Sequence, residues 1–203
     1  AIIDTGDGGI QPMSYGEGRY WITYNGEIYN YLELREELRQ TGLSFATESD
    51  TEVILAAYSL WGRAALSRLR GMFALALYDR SAGTLLLARD RYGIKPLYYH
   101  VQGRRLVAGS EIKQLLSTPG VTRSINSRRA YDFLAGGMLD HATETMFGDV
   151  VQLAPGSWLE LNTTSGALSQ GVWYKLPEPG SLTLSEDAAA EKFLELLQDS
   201  ENK

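Results

Sequence analysis

The segment Asn25-Gly26-Glu27 carries residue types that could take part in acyl-transfer chemistry. An exposed asparagine amide and a glycine N–H are suitable donors for a developing oxyanion. Taken alone, Asn-Gly is the commonest turn of a tight hairpin. However, the residues that follow, 31–40, have a helical pattern where a hairpin requires a second strand. The spacing therefore leaves two readings open, a plain turn that ends a strand and an oxyanion-binding turn at the edge of a cleft.

Two aspartates stand in further candidate segments. Asp50 belongs to Ser49-Asp50-Thr51-Glu52, which has capping-box spacing. Its carboxylate could cap free N–H groups of a helix or receive the ammonium group of a ligand. Asp90 lies between Arg89 and Arg91 after a buried strand, and this alternation of charge favours a structural ion-pair network.

The composition excludes several classes of function. The chain contains 203 residues and no cysteine, so it has no thiolate metal site and no cysteine nucleophile. The two histidines, His100 and His141, are expected to be ordinary surface or loop residues, and no metal site is expected. The formal net charge of −6 argues against a nucleic-acid partner. No apolar run has the length of a membrane span and no signal peptide is evident, so we expect no membrane partner and a cytoplasmic protein.

The elements expected to position these residues are hairpins with helices between them. Runs of apolar, aromatic and β-branched residues predict strands at 19–24, 72–78, 84–88, 97–101, 104–108, 158–161 and 172–174. Helical spacing predicts helices at 31–40, from Ser49 to Gly62, at 111–116, at 126–134 and at 185–198, and a short one before Leu69. The residues 1–4 are expected to end a strand. Clustered hairpins predict an α+β fold with mainly antiparallel sheet.

Several motifs, read in order, resemble the glutaminase domain of asparagine synthetase, from Ala1 to about Tyr174. They are AIID (1–4), QPM (11–13), YNGEIYN (24–30), LREEL (34–38), SDTEVIL (49–55), GMFA (71–74), ARDRYGIKPLYY (88–99) and SEIK (110–113).

The resemblance implies an N-terminal-nucleophile fold, an αββα sandwich of antiparallel sheets, and class II glutamine amidotransfer. In that family an N-terminal cysteine attacks the glutamine side-chain amide and forms a thioester. By the same resemblance, Asn25 and Gly26 would form the oxyanion hole, and Glu27 and Asp50 would help to hold glutamine. The backbone at Ile2 and Ile3 would line the same pocket.

The family's nucleophilic cysteine and an arginine for the glutamine carboxylate precede the segment that matches Ala1. We therefore expect a sandwich truncated at its N-terminus and inactive alone. Residues 1–176 would be a partial glutaminase domain, and 177–203 a linker and first helix leading to a C-terminal synthetase domain. That domain would use ATP and Mg²⁺ to amidate aspartate with the ammonia released. A different acceptor, a non-catalytic interaction module and a homodimer stay open.

Overall fold

Two antiparallel sheets form the centre of the structure, a computed structural model that describes residues 7–178, 180 and 183–201. The strands in this part of the chain are β1 (Met13–Tyr15), β2 (Tyr20–Ile28), β3 (Gly71–Asp79), β4 (Thr84–Arg89), β5 (Tyr98–Gln102), β6 (Arg105–Gly109), β7 (Val151–Gln152), β8 (Ser157–Asn162) and β9 (Leu168–Val172). The first sheet has the order β1-β2-β3-β4-β8-β9, and the second has the order β6-β5-β7. The expected α+β class and antiparallel pairing are confirmed.

The helices follow the sequence pattern closely. They are α1 (Tyr31–Gln40), α2 (Asp50–Trp61), α3 (Ala65–Arg68), α4 (Ile112–Leu116), α5 (Ser127–Gly136) and α6 (Glu186–Glu201). Gly42, with a φ of 91°, follows the end of α1, and Gly62 with a φ of 56° ends α2. Glycine adopts this left-handed region at little steric cost, which explains why both helices end where the sequence predicts.

One face of the first sheet packs against α1 and α2. Strand alternation places every second residue of β2, β3 and β4 on this face. The buried core there joins Leu38 of α1 and Leu55 of α2 to Ile28, Phe73 and Leu86 of the sheet. All five side chains are almost fully inaccessible to solvent, so this layer supplies most of the buried apolar surface that stabilises the fold.

The other face of the first sheet packs against the second sheet. Ala74 and Leu87 from the first sheet meet Leu97 and Ala108, which lie beside and within the second. The helix α4 packs on β5 and β6, and a Cβ at Gly109 would point at its Gln114 side chain. The layers are therefore helix, sheet, sheet and helix, as expected for an αββα sandwich.

The start of α2 differs in detail from a capping box. Ser49 is the N-cap, and its hydroxyl accepts from the N–H of Thr51 at 3.2 Å. The Glu52 carboxylate does not reach back to Ser49, because it accepts from the N–H groups of Ala46 and Thr47 at 2.8 and 2.7 Å. Asp50 is thereby free of the capping role that the sequence left open for it.

The prediction that Asn25-Gly26 ends a strand is wrong. The strand β2 continues through both residues to Ile28, paired with β3 along its whole length. Asn25 lies opposite Ala74, and Gly26 lies opposite Phe73. A hairpin turn is therefore excluded, and the two residues belong to the extended edge region of the first sheet beyond β1.

The prediction of an ion-pair network at Arg89-Asp90-Arg91 is also wrong. The Asp90 carboxylate is fully buried and accepts from four backbone N–H groups, those of Phe73, Tyr92, Ile94 and Lys95. The Arg89 guanidinium donates to the carbonyls of Gly93, Lys95 and Leu153. Both charged side chains bind backbone groups. The N–H and carbonyl groups of the loop between β4 and β5 have no partners in a β-ladder, so these side chains satisfy them.

The histidines do not both fit their expected setting. His100 is buried in β5, and its Nδ1 lies 2.7 Å from the carbonyl oxygen of Asp149, so it is a core residue rather than a surface one. His141 lies in a loop, as expected, and its Nε2 is 3.1 Å from Asp132. The predicted strand end at 1–4 lies outside the described residues.

The sandwich closes just after β9. Trp173 stacks on Phe73 with ring centroids 5.8 Å apart, and its Nε1 donates to the Arg89 carbonyl. Beyond it the described residues 175–178, 180 and 183–185 are exposed. The side chains of α6 include exposed Phe193 and Leu194, so this helix contributes nothing to the buried core of the sandwich.

Candidate active site

The candidate site lies along the edge of β2, beyond the short strand β1. Two side chains there bind backbone N–H groups of β2. Gln11 Oε1 accepts from the N–H of Tyr24 at 2.6 Å, and Asp50 Oδ2 accepts from the N–H of Ile28 at 3.1 Å. These contacts show that in this part of β2 the N–H groups of even-numbered residues point away from β3 and off the edge of the sheet.

The N–H of Gly26 points in the same direction. Its cross-strand neighbour Phe73 directs both of its backbone groups away from β2. The Phe73 N–H donates to the Asp90 carboxylate, and the Phe73 carbonyl accepts from the Asp90 N–H. Gly26 and Phe73 therefore form a pair without mutual hydrogen bonds. The Gly26 N–H lies between the two N–H groups that Gln11 and Asp50 bind, and is directed off the sheet.

Glycine is required at position 26 by close packing of the backbone. A Cβ there would lie 2.2 Å from the carbonyl oxygen of Met72 and 2.8 Å from the Cα of Phe73. Gly71 is equally tight, since its Cβ would lie 2.1 Å from the Glu27 carbonyl oxygen. The two glycines bring β2 and β3 together at the candidate site, which is an independent structural reason for Gly26.

The Asn25 side chain projects from the face of the sheet, into the space between the two sheets. Its Nδ2 donates to Ser110 Oγ at 3.2 Å. Both residues line a pocket of about 370 Å³, whose wall includes Ala74, Ala76 and Ala108. Small side chains on both sheets leave this space open, and its volume is in the range of a small-molecule site.

Asp50 is 2% exposed, although it is charged and carries no cation partner among the described residues. Its Oδ2 accepts from the Tyr24 hydroxyl at 2.7 Å as well as from Ile28. Burial first, and then the charge of Asp50, raise the pKa of Tyr24 above its usual value of 10.0. Tyr24 therefore stays protonated and can keep donating to the carboxylate.

Glu27 is half-buried and follows Gly26 on β2, opposite Met72. Its charge also contributes to the raised pKa of Tyr24, after burial and the charge of Asp50. The arrangement therefore places two acidic groups near the strand that carries Asn25 and Gly26. The backbone at Ile2 and Ile3, also predicted for this site, lies outside the described residues.

The structure thus brings Asn25, Gly26, Glu27 and Asp50 to one strand edge. Of these four, Asn25 alone lines the pocket. Three supporting residues escaped the sequence reasoning: Gln11, Tyr24 and Ser110. Their roles depend on contacts across 13, 26 and 85 residues of sequence. Each of the three lies in a motif that carries the family resemblance (QPM, YNGEIYN and SEIK), and that resemblance was the only sequence signal for them.

No group of three or more metal-binding side chains (His, Asp, Glu or Cys) occurs among the described residues. None of the helices described is long and apolar enough to cross a membrane.

The chain belongs to the glutamine amidotransferase domain family, whose model matches residues 1–174. Two solved structures agree with the fold alone, each with 20% sequence identity. One is the glutamine phosphoribosylpyrophosphate amidotransferase of B. subtilis, with a TM-score of 0.59 over 85% of this chain and 34% of that one. The other is an allosteric regulatory enzyme of purine biosynthesis, with a TM-score of 0.58 over 84% and 33%. The N-terminal-nucleophile amidotransferase fold is thus confirmed.

Within this family, the chain is similar to glutamine-hydrolyzing asparagine synthetases. It is 51% identical over 116 residues to asparagine synthetase 1 of Bacillus subtilis, covering 57% of this chain and 18% of the relative. It is 34% identical over 201 residues to asparagine synthetase 2 of the same organism, covering 95% and 27%. It is also 39% identical over 117 residues to amidase chry2 of Gibberella zeae, covering 58% and 17%. The matches therefore span about a quarter or less of the length of these relatives.

Proposed function

We propose that this domain hydrolyses glutamine within a longer protein and supplies the ammonia for ATP-dependent amidation of aspartate. The observation that carries the proposal is the paired donors of β2. The Asn25 amide reaches the inter-sheet pocket, and the Gly26 N–H is directed off the same stretch of strand. Two donors on adjacent residues of a rigid strand are the kind of groups that a tetrahedral oxyanion needs.

The chemistry proposed is acyl transfer to a thiol. A thiolate attacks the side-chain carbonyl carbon of glutamine, and the carbonyl oxygen becomes an oxyanion that Asn25 Nδ2 and Gly26 N–H stabilise. Collapse of the intermediate breaks the C–N bond, and the nitrogen takes up the proton that the thiol lost and leaves as ammonia. Water then hydrolyses the γ-glutamyl thioester to glutamate and the free thiol. Because β2 is paired with β3 along its length, the Gly26 N–H and the backbone that carries Asn25 are held in place before glutamine arrives.

Glutamine recognition is assigned to the acidic residues at the same edge. Asp50 and Glu27 carry the negative charge that attracts the α-ammonium group of glutamine. Asp50 is well placed for a fixed role, because the Tyr24 hydroxyl and the Ile28 N–H hold its Oδ2. The backbone at Ile2 and Ile3 is proposed to line the same pocket.

The remaining parts of the reaction are proposed to lie outside these 203 residues. The chain contains no cysteine, so the thiol must come from another part of the natural protein, and the chain alone is proposed to be inactive. Residues 1–176 form the glutaminase portion, and 177–203 lead to a synthetase domain that uses ATP and Mg²⁺. The exposure of 175–178 and of α6 supports this division. A cytoplasmic location and aspartate as acceptor belong to the same proposal.

The experiment that tests this function uses the natural full-length protein and its Asn25→Ala variant. Loss of one oxyanion donor is expected to lower glutamine hydrolysis by roughly two to three powers of ten. Amidation supported by added ammonia should keep its rate, because it bypasses the glutaminase site. Unchanged glutamine turnover would leave Asn25 as a structural strand residue and would contradict the proposal.

Ser14→Ala serves as the matched control. Ser14 is an exposed polar residue on β1, the strand beside β2, and it lies opposite Trp21. Its truncation should leave both the glutamine-dependent and the ammonia-dependent rates unchanged. A similar loss in both variants would show that any truncation near this edge disturbs the sheet.

A further inference from the structure

We infer that Ser110 is a positioning residue that holds the amide of Asn25 in the orientation needed for oxyanion binding. This inference rests on the proposed glutaminase function and adds a residue to it. The observation is the contact between Asn25 Nδ2 and Ser110 Oγ, at 3.2 Å, across the gap between the two sheets. In the described part of the chain, Ser110 is the single hydrogen-bond partner of the Asn25 side chain.

The need for such a partner follows from the asparagine side chain itself. Its terminal torsion is broad and roughly two-fold, so an unrestrained amide samples many orientations. In some of them the acceptor oxygen faces the position where the donor is needed. The amide nitrogen carries two hydrogens. When one is donated to Ser110 Oγ, the plane of the amide is fixed and the second hydrogen stays available for substrate.

The position of Ser110 is itself well determined. It follows Gly109, which is paired with Tyr98 at the end of β6. On its other side, the N–H of Glu111 donates to the Gln114 side-chain oxygen at 3.0 Å. Leu115 of α4 is fully buried and anchors this helix to the second sheet. Ser110 is therefore held from both sides, and the second sheet supplies a fixed reference for a donor carried by the first.

The contact also explains why the second sheet matters to chemistry placed on the first. Asn25 and Ser110 are 85 residues apart in sequence and both line the pocket of about 370 Å³. Ser110 is neutral, so it orients the amide without adding charge next to the developing oxyanion. Its contribution is therefore expected in the rate of the chemical step, and not in the affinity for glutamine.

The test compares Ser110→Ala, Ser110→Thr and Ser117→Ala in the natural full-length protein. Loss of one neutral hydrogen bond should lower kcat for glutamine hydrolysis by roughly 3- to 10-fold. The KM for glutamine and the ammonia-dependent rate should not change. Ser110→Thr keeps the hydroxyl and should restore most of the rate. Ser117, whose hydroxyl donates to the Gln114 carbonyl at 2.7 Å, provides the control and should give wild-type kinetics.

A double-mutant cycle with Asn25→Ala separates positioning from a general structural effect. If Ser110 acts only through the Asn25 amide, Ser110→Ala should lower kcat no further when Asn25 is already alanine. A full additional loss in the double variant would overturn the inference, because Ser110 would then act on another group. A rise in the KM for glutamine or a slower ammonia-dependent reaction in Ser110→Ala would also overturn it.

The two proposals fail in different ways. If Asn25→Ala leaves glutamine hydrolysis intact, the proposed function fails. If Asn25→Ala is impaired while Ser110→Ala keeps its full kcat, the oxyanion assignment stands and only the positioning role of Ser110 is refuted.

Discussion

Asp50 combines two tasks at the scale of single residues. It joins α2 to the edge of β2 through Tyr24 and Ile28, and it is proposed to receive the glutamine ammonium group. A carboxylate that accepts hydrogen bonds from protein donors is already oriented, so little further ordering is needed when a cation binds. Both tasks use the negative charge of the Asp50 carboxylate, so removing that charge tests the proposed binding of glutamine.

Replacing Asp50 or Glu27 by alanine in the full-length protein should raise the KM for glutamine far more than the KM for ammonia. The reason is that glutamine carries the ammonium group that the two acids are proposed to bind, and ammonia does not use this site. Steady-state kinetics with each nitrogen donor measures the difference. Equal changes for the two donors would count against a glutamine-binding role for the residue concerned.

Tyr24→Phe should make stability less dependent on alkaline pH. The pKa of Tyr24 is raised in the fold, first by burial and then by the charge of Asp50. Its contribution is present in full below the unfolded pKa of about 10, and is lost as pH rises towards the folded value, because only the unfolded chain then releases the proton. Urea unfolding between about pH 9 and 11 should therefore show a shallower decline for the variant.

At neutral pH the same variant should be less stable than the wild type. Loss of a hydrogen bond to a charged, buried acceptor costs about 1.5–3 kcal/mol. Tyr20→Phe is a suitable control, because Tyr20 is also buried on β2 but stacks edge-to-face on Tyr58 instead of contacting Asp50. Equal slopes with pH for wild type and Tyr24→Phe would show that the Tyr24 hydroxyl ionises normally.

Single residues also show what sequence alone could predict. The residue types at Asn25, Gly26 and Asp50 were enough to mark them as candidates, because an amide and an N–H can donate to an oxyanion and a carboxylate can bind a cation. The partners Gln11 and Ser110 have ordinary polar side chains. Their significance comes from where the chain folds back, 13 and 85 residues away, and no local pattern contains that information.

At the scale of elements, the close pairing of β2 and β3 determines the position of the backbone that carries Asn25 and Gly26. Asn-Gly suggested a turn because that dipeptide favours tight hairpins, but tertiary pairing overrides the local preference. Nine consecutive residue pairs join the two strands through this segment. Boundaries of α1, α2 and the β3–β4 hairpin were predictable, since left-handed glycines and apolar periodicity mark them locally.

Gly26→Ala should weaken this pairing by about 3 kcal/mol or more, because the new Cβ meets the backbone of β3 and not a flexible side chain. Urea unfolding measures the loss. Gly136→Ala is the matched control at the end of α5, where the nearest atom is the Met138 methyl group at 3.2 Å. The control should stay within about 0.5 kcal/mol of wild type. Equal stabilities for Gly26→Ala and wild type would exclude the close approach of the two strands.

At the scale of the whole molecule, the described residues form an αββα sandwich followed by exposed segments. Trp173 closes the core against Phe73, and the family match ends at residue 174. The exposed Phe193 and Leu194 of α6 find no cover in the described part of the chain. The relatives are several times longer than the part of them that this chain matches, which is the basis for proposing a further domain.

The 203-residue chain should therefore hydrolyse no glutamine, while the natural full-length protein should. The chain has every group proposed for the oxyanion but no cysteine to form the thioester. Ammonia release from glutamine, measured side by side at equal protein concentration, makes the comparison. Activity in the 203-residue chain would require a nucleophile other than a thiol. Inactivity of both proteins would favour a non-catalytic interaction module, in which Asn25 and Asp50 serve only to hold β2 against its neighbours.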